Sequence, residues 1–361
     1  MTSLPASRTR SRPPSLAADL ARPIRIGVSS CLLGVAVRYD GGHREDRFLT
    51  QSLSRHCQWV PVCPEYEVGL GVPREPMRLE GRVEAPRLVT VRTRIDHTRA
   101  MEDFARRRVS ELAVLDLDGY IFKQGSPSCG TKQVRIYPQG GGRASRRGVG
   151  LFARRFVARF PLVPVAEEGS LGDPVRREHF LERVLGHWRW RGLMQGGVSR
   201  RRLMAFHAAQ QCLVLTHSPK HYRDLERLIE TLGKLPAGGS PAGRLPAPAL
   251  VRRYGDLFAR ALRVRATRHK HAQVLMRLAR SLGNRLPDAE QARLQSRIHD
   301  YRAGDGRLAA PLRLIERYGR RYGGDSFRDQ VYLNPHPIEL WLRNLGTAQA
   351  RPQDSFPPAR K

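Results

Sequence analysis

The stretch RIGVSSCLLG, residues 25–34, begins as an apolar run and ends in a cysteine and a glycine. Isoleucine and valine around one small residue fit a short strand buried on both faces, as strands of a parallel sheet are. The pattern returns downstream. WVPV at 59–62 runs into Cys63-Pro64-Glu65, RLVTVRT at 87–93 is a third apolar run, GYIFK at 119–123 precedes Ser126-Pro127-Ser128-Cys129-Gly130, and 161–165 closes the series. Between these runs, Glu45–Arg55, His97–Leu115 and Gly150–Phe160 carry helical periods, with Met101, Phe104, Val109 and Leu112 on one face of the second. Strands alternating with helices predict an α/β fold, an open parallel sheet with flanking helices joined by right-handed crossovers.

Three of these strands deliver a cysteine just past their C-terminal ends: Cys31, Cys63 and Cys129. Ligands of open α/β sheets bind in the crevice outside those ends, so residues distant in sequence converge there. The separations of 32 and 66 residues match no local zinc or ferredoxin spacing. Two readings stand at this level: a shared metal site, or three small buried thiols. Each cysteine sits in a tight turn with Gly, Pro or Ser, which favours the site. Cys57 and Cys212 fall in a helix-to-strand connection and a helical apolar pattern, and read as bystanders.

The second half changes character. Residues 173–200 open with Asp173-Pro174, a helix cap and first turn, and form a connector helix. Beyond it, Arg201–Thr216, Lys220–Gly233, Ala249–Arg263, Ala266–Leu282, Asp288–Ala303 and Pro311–Tyr318 all show helical periodicity, interrupted by a Pro/Gly/Ala loop at 235–248. An all-α domain follows the α/β domain. The expected division is a flexible basic leader (1–22), an α/β domain (23–170), a connector helix (171–200), an all-α domain (201–346) and a flexible tail (347–361). Gly140-Gly141-Gly142 lacks a strand-to-helix setting and reads as a loop, not a nucleotide fingerprint. Asn334-Pro335-His336-Pro337 reads as a rigid turn ahead of a last helix at Ile338–Leu345.

Charge narrows the function. Lys and Arg number 64 against 33 Asp and Glu, a net +31 over 361 residues, which argues against an enzyme acting on small neutral substrates with no other partner. A polyanion is the expected partner, because clustered Lys and Arg gain affinity by releasing phosphate counterions. Codon bias toward Arg, Ala, Gly and Pro explains part of the excess. The basic candidates are Arg200–Arg202, Lys220, His221, Arg252, Arg253, Arg263, Arg265, Arg268 and Lys270, with Tyr222 and Tyr254 expected nearby for stacking. His217 and His221 stand four apart, but Pro219 between them favours a structural or RNA-contacting role over a metal site. No apolar run reaches a membrane span, the N-terminus lacks the apolar core of a secretory signal, and five cysteines at irregular spacing predict reduced thiols in a cytoplasm, with no membrane and no disulfide-linked partner.

Four motifs together resemble the thiouracil desulfurase family: Ser29-Ser30-Cys31-Leu32-Leu33-Gly34, Arg38-Tyr39-Asp40-Gly41-Gly42, Val62-Cys63-Pro64-Glu65 with Gly69-Leu70 and Pro73-Arg74 after it, and Ser126-Pro127-Ser128-Cys129-Gly130. The likeness covers about residues 24–165. Residues from about 200 to 345, with Phe206-His207, Thr216-His217-Ser218 and Val331–Pro337, resemble a helical domain often fused behind it, and the fused pair resembles tRNA 4-thiouridine desulfidases. Single-domain relatives often carry a further cysteine where this chain has Val37, which leaves Cys31, Cys63 and Cys129 as the matching triad.

The resemblance implies a 4Fe-4S cluster held by Cys31, Cys63 and Cys129, with one iron lacking a protein ligand and open to a thione sulfur. It implies a catalytic Glu65 as general acid/base and a catalytic Ser126 as hydrogen-bonding or proton-relaying hydroxyl, with Ser128 the alternative. Glu65 as a helix cap, Ser126 and Ser128 as turn residues, and Asp40 as a turn former are the structural counterparts of those roles. The implied activity is non-redox desulfuration of thiolated uracil, 4-thiouridine in tRNA foremost. Desulfuration of free thiouracil-type bases, or nucleic-acid binding around a structural metal site, are the competing expectations.

Overall fold

The computed structural model describes residues 22–140, 142–195, 197–234, 247–323, 327 and 329–340. The expected leader up to residue 21, most of the 235–248 loop, the end of the 338–345 helix and the tail lie outside the described residues.

The strands are β1 (Arg25–Ser29), β2 (Gln58–Val62), β3 (Met77–Gly81), β4 (Pro86–Thr90), β5 (Gly119–Phe122), β6 (Val134–Tyr137), β7 (Ser145–Gly148) and β8 (Val165–Glu167). Two helices intervene, α1 (Thr98–Val114) and α2 (Leu151–Arg159). The expected parallel sheet is present with the order β2-β1-β5-β8, every pairing parallel. Gly27 pairs with Tyr120 across β1 and β5, and a Cβ at Gly27 would stand 2.2 Å from the Tyr120 ring. Only glycine lets that ring cross the neighbouring strand.

A second four-stranded sheet, β4-β3-β6-β7, was not foreseen. It is mixed: β3 pairs antiparallel with β4 and parallel with β6, and β6 pairs antiparallel with β7. The apolar run expected as a third parallel strand therefore belongs here, as β4. Leu79, Leu88, Val134 and Ile136 turn inward from this sheet to meet α1, α2 and the aromatic set Tyr120, Phe122, Phe152 and Phe156. The expected helix at Glu45–Arg55 is reduced to irregular turns over Phe48–Arg55, which bury Leu49 and Leu53 on the other face of the parallel sheet. The last strand begins where the expected one ended, at Val165.

Among the described residues seven α-helices follow: α3 (Pro174–Gln195), α4 (Arg200–His217), α5 (Pro219–Lys234), α6 (Pro248–Arg263), α7 (Arg268–Leu282), α8 (Asp288–Ala303) and α9 (Ala309–Tyr318). Asp173 Oδ1 accepts from the amides of Val175 and Arg176, satisfying donors that the first turn leaves open. α3 does more than connect. Its Phe180, Leu181, Val184, Leu185 and Trp188 pack against β1 and the turns beneath it, whereas Trp190 and Leu193 enter the core of α4 to α6. α7 to α9 build a further core around Leu275, Ile298 and Ile315.

Candidate active site

Cys31 lies in the turn after β1, Cys63 directly after β2, and Cys129 in the loop after β5. The three neighbouring parallel strands end on one side, and all three thiols line a single cavity of about 440 Å³ with Glu65 and Ser126. Of the two expected hydroxyls, Ser126 lines that cavity and Ser128 does not. Cys57 and Cys212 lie elsewhere; Cys57 Sγ contacts Leu53 O and Cys212 sits in the α7 to α9 core. All five cysteines are unpaired.

The thiols are electrostatically aware of one another. Burial, then the adjacent Cys63, pushes Cys31 up to about 11, and burial drives Cys129 well above its ordinary value although the Ser29 hydroxyl hydrogen-bonds it. Cys63 Sγ lies 3.7 Å from the Val37 carbonyl, so position 37 contributes its backbone to the site. Among the described residues no three His, Cys, Asp or Glu groups converge on a point suited to one metal ion. Ligands of a multi-iron cluster bind separate irons and stand wider apart, and an all-thiol donor set is the set such clusters take. Arg38, Arg44, Arg74 and Lys123 line the same cavity; Arg38, Arg74 and Lys123 pair with Asp40, Glu65 and Glu168, and the Arg44 side chain would offset charge on cluster-bound thiolates. The residues present fit such a group.

Glu65 is held from both sides. Arg74 Nη2 and Nε donate to Glu65 Oε2 at 2.7 and 3.2 Å, while Arg74 Nη1 donates to the carbonyls of Val37 and Gly71. Oε1 accepts from Ser128 Oγ at 3.0 Å and from Ser126 Oγ at 3.5 Å. Glu65 makes no capping hydrogen bond, and the amide of Cys63 is taken by Glu67. Ser126 Oγ also accepts from the amides of Ser128 and Cys129, so it is both turn former and cavity wall. Ser128 is fully buried behind Glu65 and outside the cavity lining. Asp40 caps its own turn, accepting from Gly42 N and pairing with Arg38.

The cysteine loop is braced by groups the sequence reading missed. Glu167, at the end of β8, accepts from the amides of Thr131 and Lys132, and Glu168 takes Lys123 Nζ and Gln124 N. A Cβ on Gly150 would fall 2.5 Å from the Ser128 carbonyl, so only glycine lets α2 begin against this loop. Arg74 was part of a quoted motif, and its partner nine residues upstream was the available signal.

In the helical half several expectations are corrected. Tyr254 and Tyr222 are buried, Tyr254 stacked against Trp190 and Tyr222 against His207, so neither offers a face to a base. Arg263 reaches the Pro161 carbonyl, Lys270 Nζ binds the carbonyls of His217 and Arg265, and Arg268 lies over Tyr301. His217 ends α4 and His221 belongs to α5; His217 is wholly buried with Nδ1 2.7 Å from Val264 O, and His221 bonds Ser218. His336 packs edge-on to Trp188 and caps the turn through Ile338 N. No described helix is long and apolar enough to cross a membrane.

A parallel sheet that gathers three thiols, a clamped carboxylate and a hydroxyl at one edge defines a thiol-ligand α/β site. Residues 26–168 match the family model 2-thiouracil desulfurase. Residues 212–337 match a family described as "Protein of unknown function (DUF1722)". The uncharacterized protein YbbK of Bacillus subtilis (strain 168) is 28% identical over 109 residues, which cover 29% of this chain and 72% of YbbK. A solved structure, the 4Fe-4S-dependent thiouracil desulfidase TudS, is 29% identical and aligns over 41% of this chain and 93% of its own, with a TM-score of 0.35.

Proposed function

We propose that the chain is an iron–sulfur desulfidase that removes sulfur from thiolated uracil, with 4-thiouridine in tRNA as its substrate in the cytoplasm. The observation that carries this reading is the convergence of Cys31, Cys63 and Cys129 with Glu65 and Ser126 in one cavity of the part of the chain that matches the 2-thiouracil desulfurase family. The three cysteines hold a 4Fe-4S cluster. When bound, that cluster supplies an iron with an open position that takes the thione sulfur and makes the ring carbon electrophilic.

The chain's own groups handle water and protons. Glu65 Oε1 takes a proton from the attacking water, while the Arg74 pair on Oε2 keeps the carboxylate aimed. Ser126 Oγ faces the cavity beside Oε1 and passes that proton toward the departing sulfur. Ser128, buried behind Glu65, positions it. Oxygen replaces sulfur at the ring carbon, sulfide leaves with the protons of water, and no electron is gained or lost. The net charge of +31 supports a polynucleotide carrier for the base.

Anaerobic incubation of cluster-loaded protein with bulk tRNA, followed by nucleoside analysis, tests the reading. Loss of 4-thiouridine with matching gain of uridine and sulfide is expected. Turnover of free thiouracil alone, with tRNA untouched, would replace the tRNA substrate by the free base.

A further inference from the structure

The cavity does not end at the cysteines. Met77, Gln124, Gly125 and Pro127 line it and also line a second open groove of about 410 Å³ on the outer face of the mixed sheet. Along β6, Val134 and Ile136 face the core, which turns Arg135 and Tyr137 into this groove. Lys132 enters from the loop before β6, and Arg146 from β7. The register shifts between Val134↔Gly148 and Ile136↔Ser145, so Arg146 and Arg147 both stand opposite Arg135.

Cations facing one another across an antiparallel pair repel. Here nothing in the protein relieves them: the side chains of Lys132, Arg135, Arg146 and Arg147 are exposed and make no hydrogen bond or ion pair among the described residues. The acidic group on the same face, Glu80, is buried under Arg78 and Arg94 and already neutralised by both. Arg78 in turn lies over Tyr137, 4.8 Å from its centroid. The side chain of Arg44, which also lines the cysteine cavity, is likewise exposed and makes no hydrogen bond or ion pair among the described residues.

We infer that this groove is a single-stranded polynucleotide path, in which Lys132, Arg135 and Arg146 take the phosphates of nucleotides adjoining the one whose base enters the cysteine cavity. The inference rests on the proposed desulfuration of an RNA base and moves the RNA contact nearest the chemistry into the α/β domain. The Arg78–Tyr137 pair offers a flat surface on which a neighbouring base stacks.

Fluorescence anisotropy of the full-length, cluster-loaded chain with a short single-stranded oligoribonucleotide containing one 4-thiouridine tests it. Lys132→Ala/Arg135→Ala/Arg146→Ala is expected to raise Kd at least tenfold and to reduce the slope of log Kd against log salt by about 2, from three lost phosphate contacts at about 0.7 each. Lys132→Arg/Arg135→Lys/Arg146→Lys, which keeps the charge, is expected to retain binding. Kd within twofold of wild type and an unchanged slope in the alanine variant would overturn the proposal. Binding equally weak in both triple variants would overturn it too, by marking the loss as structural. An oligonucleotide that binds with this slope change but is never desulfurated defeats the desulfidase reading and leaves the groove standing; free thiouracil desulfurated by a chain that binds no oligonucleotide does the reverse.

Discussion

Arg74 places two donors on one oxygen of Glu65, Oε2, and thereby leaves the other, Oε1, to the hydroxyls of Ser126 and Ser128. A carboxylate so clamped is fixed in orientation, and it lines the same cavity as the thiols. Arg74→Met is expected to lower kcat on the desulfurated substrate about a hundredfold, the scale set by misplacing a catalytic group by about 1 Å. Arg74→Lys is expected to recover part of the loss, because one charged donor remains. Cluster absorbance and thermal midpoint measured alongside separate aim from folding; kcat unchanged in the Met variant would remove Arg74 from this role.

The two hydroxyls are separable. Ser126→Ala is expected to cost more in kcat than Ser128→Ala, since Ser126 alone lines the cavity and also accepts two loop amides. Glu65→Gln is expected to lower kcat by about 10²–10⁴ with the cluster intact. Should Ser128→Ala prove the more damaging, the relay passes to Ser128.

Cluster loading follows the thiols. Cys31→Ser, Cys63→Ser and Cys129→Ser are each expected to abolish the visible absorbance of reconstituted protein, whereas Cys57→Ser and Cys212→Ser keep it. Iron and sulfide analysis of the five variants checks this; full loading after Cys129→Ser would break the three-ligand arrangement.

His217 gives a pH signature in stability. Burial, helped by the stacked His179 and nearby Lys270 and Arg183, lowers it from 6.5 to about 4, against the opposing hydrogen bond to the Val264 carbonyl. Between those values the unfolded chain binds the extra proton, so stability rises with pH from about 4 to 6.5 and flattens above. Urea melts across this window are expected to show roughly 3 kcal/mol less of this contribution at the acid end. The same melts on His217→Gln are expected to lose that slope.

Arg189 and Glu339 form a buried two-bond pair at 3.1 and 2.8 Å, tying α3 to the segment after Asn334-Pro335-His336-Pro337. Arg189→Met is expected to destabilise by about 3–5 kcal/mol, because it strands a buried carboxylate, and Arg189→Met/Glu339→Leu to recover much of it. A double-mutant cycle by denaturant unfolding measures the coupling.

The most legible strands were β1 and β5, buried on both faces; the edge strand β2, half-buried, still read as a short apolar run, and the turn residues after all three marked where ligands gather. The second sheet escaped because one of its faces is wet: Ser145–Gly148 carries two arginines, and Met77–Gly81 mixes Arg78 and Glu80 with Leu79. Thiols and Glu65 were visible through residue type and position. Their supports were not, because Glu167 and Glu168 reach the cysteine loop from a strand 36 and 44 residues on. Tyr254 was misjudged because Val251, Tyr254, Phe258 and Leu262 recur at helical spacing, and a core stripe beside arginines looks the same as a stacking surface in sequence.

α3 enters two hydrophobic cores along one uninterrupted helix of 22 residues, roughly 33 Å long. Arg263 and His179 add further ties, from α6 to the Pro161 carbonyl and from α3 to Leu262. A beam seated in both cores carries no break in its helix between them. On the proposed RNA substrate, such a beam would act as a gauge, setting which nucleotide along the molecule arrives at the cysteines without any base being read.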